Sequence, residues 1–428
     1  MPFFARPQRL IRPLRDFLAT ESAGGVAVVG AALVALIWAN SPWQGSYLEL
    51  WETAFEIRIG SWSLTMHLRE LINESLMTIF FLVVGLEIKR ELVEGELRDR
   101  PSRTLPVFAA IGGMLVPALI YAAINFEGPN ALGWGIPMAT DIALAVGIMT
   151  LARNVKPALK LFLLALAIVD DIGAILVIGI FYSGEIDPGW IGAALGFVAL
   201  VLVMQKARLD ATWLYVVAGA GLWFAFHEAG IHATLSGVIL GLLAPTKPYR
   251  SPELIDQTEL TNLGSAEEVA ETARMARSAV SVVEWLEHRL HPWTSFLIVP
   301  LFALANAGIS LSAESVRLAL TSRVTLGVLA GLLLGKPVGI LAATLLATRL
   351  GAGRLPTDTT WSGIAGASLL AGVGFTVSLF IAEIALSSSA ADEARFGILV
   401  ASIAAGSIGL VVLRRSRSGS PESADSDT

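Results

Sequence analysis

Cysteine is absent from all 428 residues, which excludes disulfides, thiolate metal sites and thiol redox chemistry. Charge is scarce. Asp, Glu, Lys and Arg make up 15% of the chain, against about 25% in a water-soluble globular domain. No GxxxxGK[ST] loop occurs, so neither a bound nucleotide nor ATP-driven work is expected. Nothing resembles a nucleic-acid surface either. The basic N-terminus (MPFFARPQRLIRPLRDF), Arg414 and Arg415 read as membrane-orienting charges. The apolar stretch after that N-terminus continues too far for a cleaved signal peptide.

In place of charge the chain has hydrophobic residues, 54% of the total, with a mean hydropathy of +0.68. They form long continuous runs rather than the short alternating segments of a membrane β-barrel. The fold class is therefore an all-α polytopic membrane protein, in contact with lipid, with about twelve transmembrane helices. The runs fall near 24–40, 69–92, 105–125, 132–153, 158–182, 188–206, 211–227, 230–244, 292–310, 323–350, 362–388 and 394–414. Lys and Arg concentrate in alternate connections, with Arg58, Arg69, Arg317, Arg323 and Arg395 as exceptions. That pattern puts both termini in the cytoplasm. The division expected is a cytoplasmic segment 1–23, a transmembrane domain 24–414 and a disordered polar tail 415–428.

Two connections stand out. On the extracytoplasmic side, Phe55, Ile57 and Ile59, then Trp62, Leu64 and Met66, alternate with polar residues and Gly60 on either side of Gly60-Ser61, a signal for a β-hairpin at about 48–68. An isolated hairpin is marginal, so it needs something to pair with, and a second copy of the chain is one candidate. On the cytoplasmic side, the long stretch 245–291 opens acidic. Ser265 with Glu268 then forms a capping box, and a helix is expected from Glu267 to about Leu290.

The chemistry sits in the membrane. Asp170 and Asp171 are adjacent in the apolar run LFLLALAIVDDIGAILVIGIFY. One carboxylate at the bilayer centre costs about 2.5–3.5 kcal/mol on insertion scales, and two repel each other. Such a pair holds something positive. Lys336, mid-run in GLLLGKPVGILAATLLA, needs a carboxylate partner or loses its proton. The deep acids available to it are Asp141, Asp170 and Asp171, with Glu383 and Glu74 further candidates. One ammonium against several carboxylates leaves negative charge for which a proton and a metal cation compete. Hard oxygen ligands suit sodium, lithium, magnesium or calcium, and the scarcity of nitrogen and lack of sulfur ligands disfavour zinc and copper.

Two runs carry weakened, polar centres: GWGIPMATDIALAVGIMTL, with Pro137, Thr140 and Asp141, and GIAGASLLAGVGFTVSLFIAEIAL, with Gly372, Gly374, Thr376 and Ser378. Breaks of this kind persist only where protein or a water-filled cavity satisfies the freed backbone. The two runs lie in opposite halves and run in opposite directions. The expected architecture therefore has inverted-topology repeats with two discontinuous helices crossing mid-membrane.

At these residues the chain resembles the NhaA-type bacterial sodium/proton antiporters, themselves a defining example of inverted-repeat transporters. The likeness covers nearly all of residues 15–414. It rests on FFLVVGLEIKRELVEGEL, AAIGGMLVPALIY, MATDIALAVG, LALAIVDDIGAI, IHATLSGV, LEHRLHPW, PLFALANAG, LGKPVGI and GVGFTVSLFIA. The resemblance implies a secondary antiporter rather than an enzyme, with no cofactor, exchanging Na⁺ (or Li⁺) for H⁺ in the bacterial inner membrane. It implies Asp171 as main cation ligand, with Asp170 as a second titrating carboxylate paired to Lys336. It places Asp141 and Thr140 at a helix break, where Asp141 offsets facing half-helix N-termini. It assigns a pH response to Glu87, His232, Glu287, His288 and His291. It also implies a homodimer through the hairpin and two protons per sodium. The loop before LEHRLHPW is longer and more acidic than the family leads one to expect.

Plainer readings stand beside these. Asp170, Asp171 and Lys336 could form a structural ion group, and Asp141 with Thr140 could only cap a helix break. Gly372 and Gly374 could serve close packing, and Glu287, His288 and His291 could be a solvated face. A gated cation channel, an organic-anion transporter and a membrane scaffold or sensor are the rival classes.

Overall fold

The computed structural model describes residues 8–59, 62–95, 100–152, 155–209, 212–247 and 280–416. The acidic stretch 248–279 with the expected Ser265–Glu268 capping box, the Gly60-Ser61 turn and the tail from 417 lie outside them. The chain is mostly helical. In order it forms α1 (Gln8–Ala39), α2 (Gln44–Glu52), β1 (Ala54–Ile59), β2 (Trp62–His67), α3 (Leu68–Val93) and α4 (Arg100–Ile124). A 3₁₀ segment (Pro129–Met138) then leads to α5 (Ile142–Thr150), α6 (Pro157–Phe181), α7 (Pro188–Lys206), α8 (Thr212–Glu228) and α9 (Leu235–Leu243). The remaining helices are α10 (Val282–Trp293), α11 (Val299–Asn306), α12 (Ala313–Thr321), α13 (Arg323–Arg349), α14 (Trp361–Ala371), α15 (Phe375–Ala385) and α16 (Ser388–Arg415).

Among the described residues seven helices are long and apolar enough to cross a membrane, or nine if each of two bent pairs counts as one span. The expected segments 211–227 and 230–244 are helical but short. Gly230, with φ at +75°, turns the chain after α8, and α9 starts only at Leu235. Val26, Ile37, Leu119, Ile180, Val203 and Ile403 are exposed on the long helices. A lipid-facing surface requires this, whereas a water-soluble protein rarely exposes so much.

Three expected boundaries change. The hairpin occupies Ala54–Ile59 and Trp62–His67, while residues 48–52 belong to α2. Tyr47 and Trp51, four residues apart, are both buried on one face of α2 and meet edge to face, which is helical spacing. The cytoplasmic helix starts at Val282 rather than running unbroken from Glu267. Ser281 is extended there, and its Oγ caps Glu284 N–H. Helix α1 begins at Gln8, well before residue 24.

The chain divides into two compact units. The first (Met1–Ala54, Asp99–Val177, Pro300–Thr428) buries Leu105, Met149, Phe162, Leu166, Ile340, Leu370 and Leu413 in one core joining α4, α5, α6, α13, α14 and α16. The second (Phe55–Arg98, Ile178–Val299) packs α7 on α8 through Leu222, Ala225 and Phe226, and joins α3 to α10 through Leu86 and Val283.

Within the second unit α3 and α9 cross backbone to backbone at Gly85 and Gly241. A Cβ on Gly241 would stand 2.6 Å from the Leu82 carbonyl oxygen and 2.7 Å from the Leu86 nitrogen. Main chain cannot retreat like a flexible side chain. Gly241→Ala is therefore expected to destabilise by at least the ~1–3 kcal/mol typical of overpacking, read as a lower melting temperature of the purified protein in detergent.

Candidate functional site

The site lies within the first unit and is built by two interrupted helices. Gly133, Gly135 and Pro137 disfavour an α-helix before Met138, and the chain there is a 3₁₀ segment. Ala139 and Asp141 are extended, and α5 starts after them. In the other half, α14 and α15 meet at Gly372–Gly374 with a bend of 41°.

The two breaks bond to each other. Asp141 N–H donates to the Val373 carbonyl (2.7 Å), and Ser378 Oγ donates to the Ile136 carbonyl (2.7 Å). The Asp141 carboxylate closes the junction. Its Oδ1 accepts Leu144 N–H at the start of α5 (3.0 Å). Its Oδ2 accepts Thr376 N–H (3.1 Å) and Thr376 Oγ1 (2.7 Å) at the start of α15. One negative charge thus serves two helix N-termini, where the helix dipole favours an anion.

Beside this junction stand Asp170 and Lys336, both fully buried. Lys336 Nζ lies 3.0 Å from Asp170 Oδ2 and also donates to the Met138 carbonyl. Lys336 directly follows a π-turn, Gly331–Gly335, a distortion found mostly at functional sites. Thr140 Oγ1 lies 2.8 Å from Asp170 Oδ2 and 3.0 Å from the Ala371 carbonyl. A hydroxyl has one hydrogen to give and can also accept. With Asp170 ionised, Thr140 donates to it. With Asp170 protonated, the carboxyl can donate to Thr140, which then donates to Ala371. The same atoms therefore accommodate both protonation states. Asp170 Oδ1 has no hydrogen-bond partner among the described residues. Asp171, next along α6, is 8% exposed, and its charge also bears on Lys336. Three buried acids (Asp141, Asp170, Asp171) face one buried lysine, so full ionisation leaves the site at net −2.

The expected cluster of Asp141, Thr140, Asp170 and Lys336 is thus brought together, with Asp171 beside it. Of the residues for which the resemblance implies a pH response, some assemble within the second unit. Glu287 and His291 share one buried face of α10. Glu287 pairs with Arg90, and His291 Nε2 lies 3.9 Å from Glu87. His288 is exposed. The His232 ring lies 2.9 Å from the Tyr182 carbonyl.

Burial pushes the Glu287 carboxyl above its ordinary range, outweighing the pull of Arg90 and His291, while Glu91 and Glu284 add to the rise. Glu383 and Glu74 are spoken for elsewhere: Glu383 pairs with Arg395, and Glu74 lies 3.3 Å from His227 Nδ1. The sequence marks Arg395 only as an exception to the charge pattern, and it gives no role to Arg90 or to the Met138 carbonyl. Thr376 and Ser378 stand out as a polar pair after GVG, without a partner assigned.

The profile of the family described as Na⁺/H⁺ antiporter 1 matches residues 15–413. A Frankia alni protein named Na(+)/H(+) antiporter NhaA 3 is 45% identical over 408 residues, covering 94% of this chain and 88% of its own. Na(+)/H(+) antiporter NhaA of Syntrophobacter fumaroxidans is 44% identical, covering 95% and 90%. Among solved structures, the sodium proton antiporter MjNhaP1 from Methanocaldococcus jannaschii is 12% identical. It aligns with a TM-score of 0.52 over 95% of this chain and 99% of its own, a likeness of fold.

Proposed function

The chain belongs to the Na⁺/H⁺ antiporter 1 family, transporters that need no cofactor, and from that premise we propose that it exchanges Na⁺ for H⁺ at Asp170 and Asp171. The single observation that carries this reading is the shared Asp170 oxygen. It meets the Lys336 ammonium and the Thr140 hydroxyl in a buried site rich in acids. Protons and sodium are alternative ways to balance that charge.

In the proposed cycle the inward-open site releases protons and takes up sodium on Asp171, with Asp170 and Thr140 beside it. The loaded site reorients, and external protons displace the ion. Asp141 keeps the two half-helix N-termini neutralised throughout. Li⁺ shares the hard-ion chemistry and is transported by the same ligands. Two protons per sodium move net charge, so a membrane potential of 100 mV contributes about 2.3 kcal/mol per cycle.

The same reading takes the chain as about twelve spans with inverted repeats, in the bacterial inner membrane, both termini cytoplasmic, dimeric through the β1–β2 hairpin. The segment 1–23, helical from Gln8, and the segment 415–428 then flank the transporter 24–414 on the cytoplasmic side. The test is sodium-induced pH change in everted vesicles. Collapse of the preformed pH gradient on adding Na⁺ supports exchange. Sodium entry without proton counterflow means a channel instead.

The pH response is assigned to the Glu287 group with Arg90, Glu87, His291, Glu91 and Glu284. The sign follows from burial. The folded protein holds the Glu287 proton more tightly than the unfolded chain does. The stability gained from that neutral carboxyl is present at acid pH and lost as pH rises through its raised range. Melting temperatures of Glu287→Gln and wild type are therefore expected to diverge with pH. Wild type should lose stability relative to the variant as pH rises from the ordinary carboxyl range. Parallel curves would remove Glu287 as the titrating group.

A further inference from the structure

Arg395 and Glu383 stand apart from the exchange cluster, yet one helix joins them to it. Arg395, in the second turn of α16, is 6% exposed. Its Nη1 donates to Asp392 (2.6 Å) and its Nη2 to Glu383 near the end of α15. Arg395 Nε has no hydrogen-bond partner among the described residues, so the guanidinium is held through its two terminal nitrogens.

Glu383 and Thr376 are seven residues apart, so they lie on one stripe of α15, about 10 Å apart at 1.5 Å per residue. Leu379 and Phe380 between them are buried. Thr376 ends on Asp141. Helix α15 is therefore a short rod gripped at both ends: by Asp141 at the exchange site and by Arg395 at the far end. The same stretch of α16 holds a second helix. Glu393 accepts Ser322 Oγ (2.5 Å) with its carboxylate and Thr325 Oγ1 (2.8 Å) with its carbonyl. Both donors sit at the start of α13, which carries Lys336. One turn of α16 thus ties the Lys336 helix to the half-helix that meets Asp141.

We propose that Arg395 is a positioning residue for ion exchange: by holding Glu383 it fixes α15 along its axis and so sets the Thr376 donors against Asp141. This rests on the reading of Asp141 as part of the exchange site. It also gives a reason for an arginine that breaks the charge pattern of the connections. A buried arginine between two acids is a fixed joint, not an orienting charge in water.

The test is sodium-dependent exchange by the full-length chain in proteoliposomes, with KM for Na⁺ and maximal rate measured separately. Glu383→Gln removes the charge from the grip, leaving at most a neutral hydrogen bond, and leaves Arg395 its Asp392 partner; the Glu383 side chain is 27% exposed, so the variant should fold. It is expected to raise KM for Na⁺ by about three- to tenfold, the usual range for coupling through a network, with maximal rate largely kept. Arg395→Gln should match it, and Arg395→Lys should recover part of the loss. Thr376→Ala should give a like shift, and Glu383→Gln with Thr376→Ala should be no worse than either alone. Unchanged KM in Glu383→Gln, or shifts that multiply in the double variant, would overturn the proposal. If Thr376→Ala and Asp141→Asn both leave KM unchanged, the reading of the exchange site fails instead, whatever Arg395 does.

Discussion

Replacing Asp171 by asparagine is expected to abolish sodium-driven proton movement in everted vesicles while the protein still accumulates in the membrane. The amide keeps the size of the side chain but carries neither the charge nor the exchangeable proton. At 4 Å and an effective dielectric constant of 20, one carboxylate attracts a monovalent cation by about 4 kcal/mol. At about 1.4 kcal/mol per decade, that is roughly a thousandfold in binding. No neighbouring charge replaces it, because Asp141 is committed to Leu144 and Thr376 and the Asp170 charge is balanced by Lys336. Asp170→Asn is expected to fail for a different reason. The amide cannot take up a proton, and Lys336 loses its counter-charge and keeps neutral acceptors such as the Met138 carbonyl. Comparing Na⁺ binding with exchange separates the two: Asp171→Asn should lose binding itself, and Asp170→Asn should lose the proton linked to it. Exchange undiminished in both variants would reduce the buried acids to a structural ion group.

These residues were legible because charge inside an apolar run is rare and expensive. Asp170, Asp171 and Lys336 announce themselves by that cost, and Pro137 with Thr140 and Asp141 marks a break that a regular helix would not carry. What sequence does not supply is pairing across distance. Thr376 reads as one polar residue after a glycine pair, yet it supplies two of the hydrogen bonds on Asp141, 235 residues away. Glu383 reads as one more deep acid, but packing gives it to Arg395. Main-chain ligands such as the Met138 carbonyl have no side-chain signature at all. Neither has the π-turn before Lys336. The alternation from Phe55 to His67 falls on the two strands, whereas the expected hairpin bound of about 48 reaches into α2, which the four-residue spacing of Tyr47 and Trp51 marks as helix.

Lys336→Met is expected to be among the most destabilising single changes in the first unit. Removing one partner of a fully buried ion pair leaves an uncompensated charge and typically costs about 3–5 kcal/mol. Here the loss falls on Asp170, which keeps the Thr140 hydroxyl as its remaining donor, and on the Met138 carbonyl, which loses its ammonium. The methionine fills much of the space, so the effect is electrostatic rather than a cavity. Two further measurements identify the cause. Protonating the carboxylate removes the stranded charge, so the melting temperature of Lys336→Met should fall further below wild type at alkaline than at acid pH. The double variant Asp170→Asn with Lys336→Met strands no charge and should recover much of the stability lost by Lys336→Met alone, with exchange still absent. A double variant as unstable as the sum of the single ones would mean that Asp170 and Lys336 stabilise the fold independently. The shared-oxygen account of the exchange site would then lose its footing.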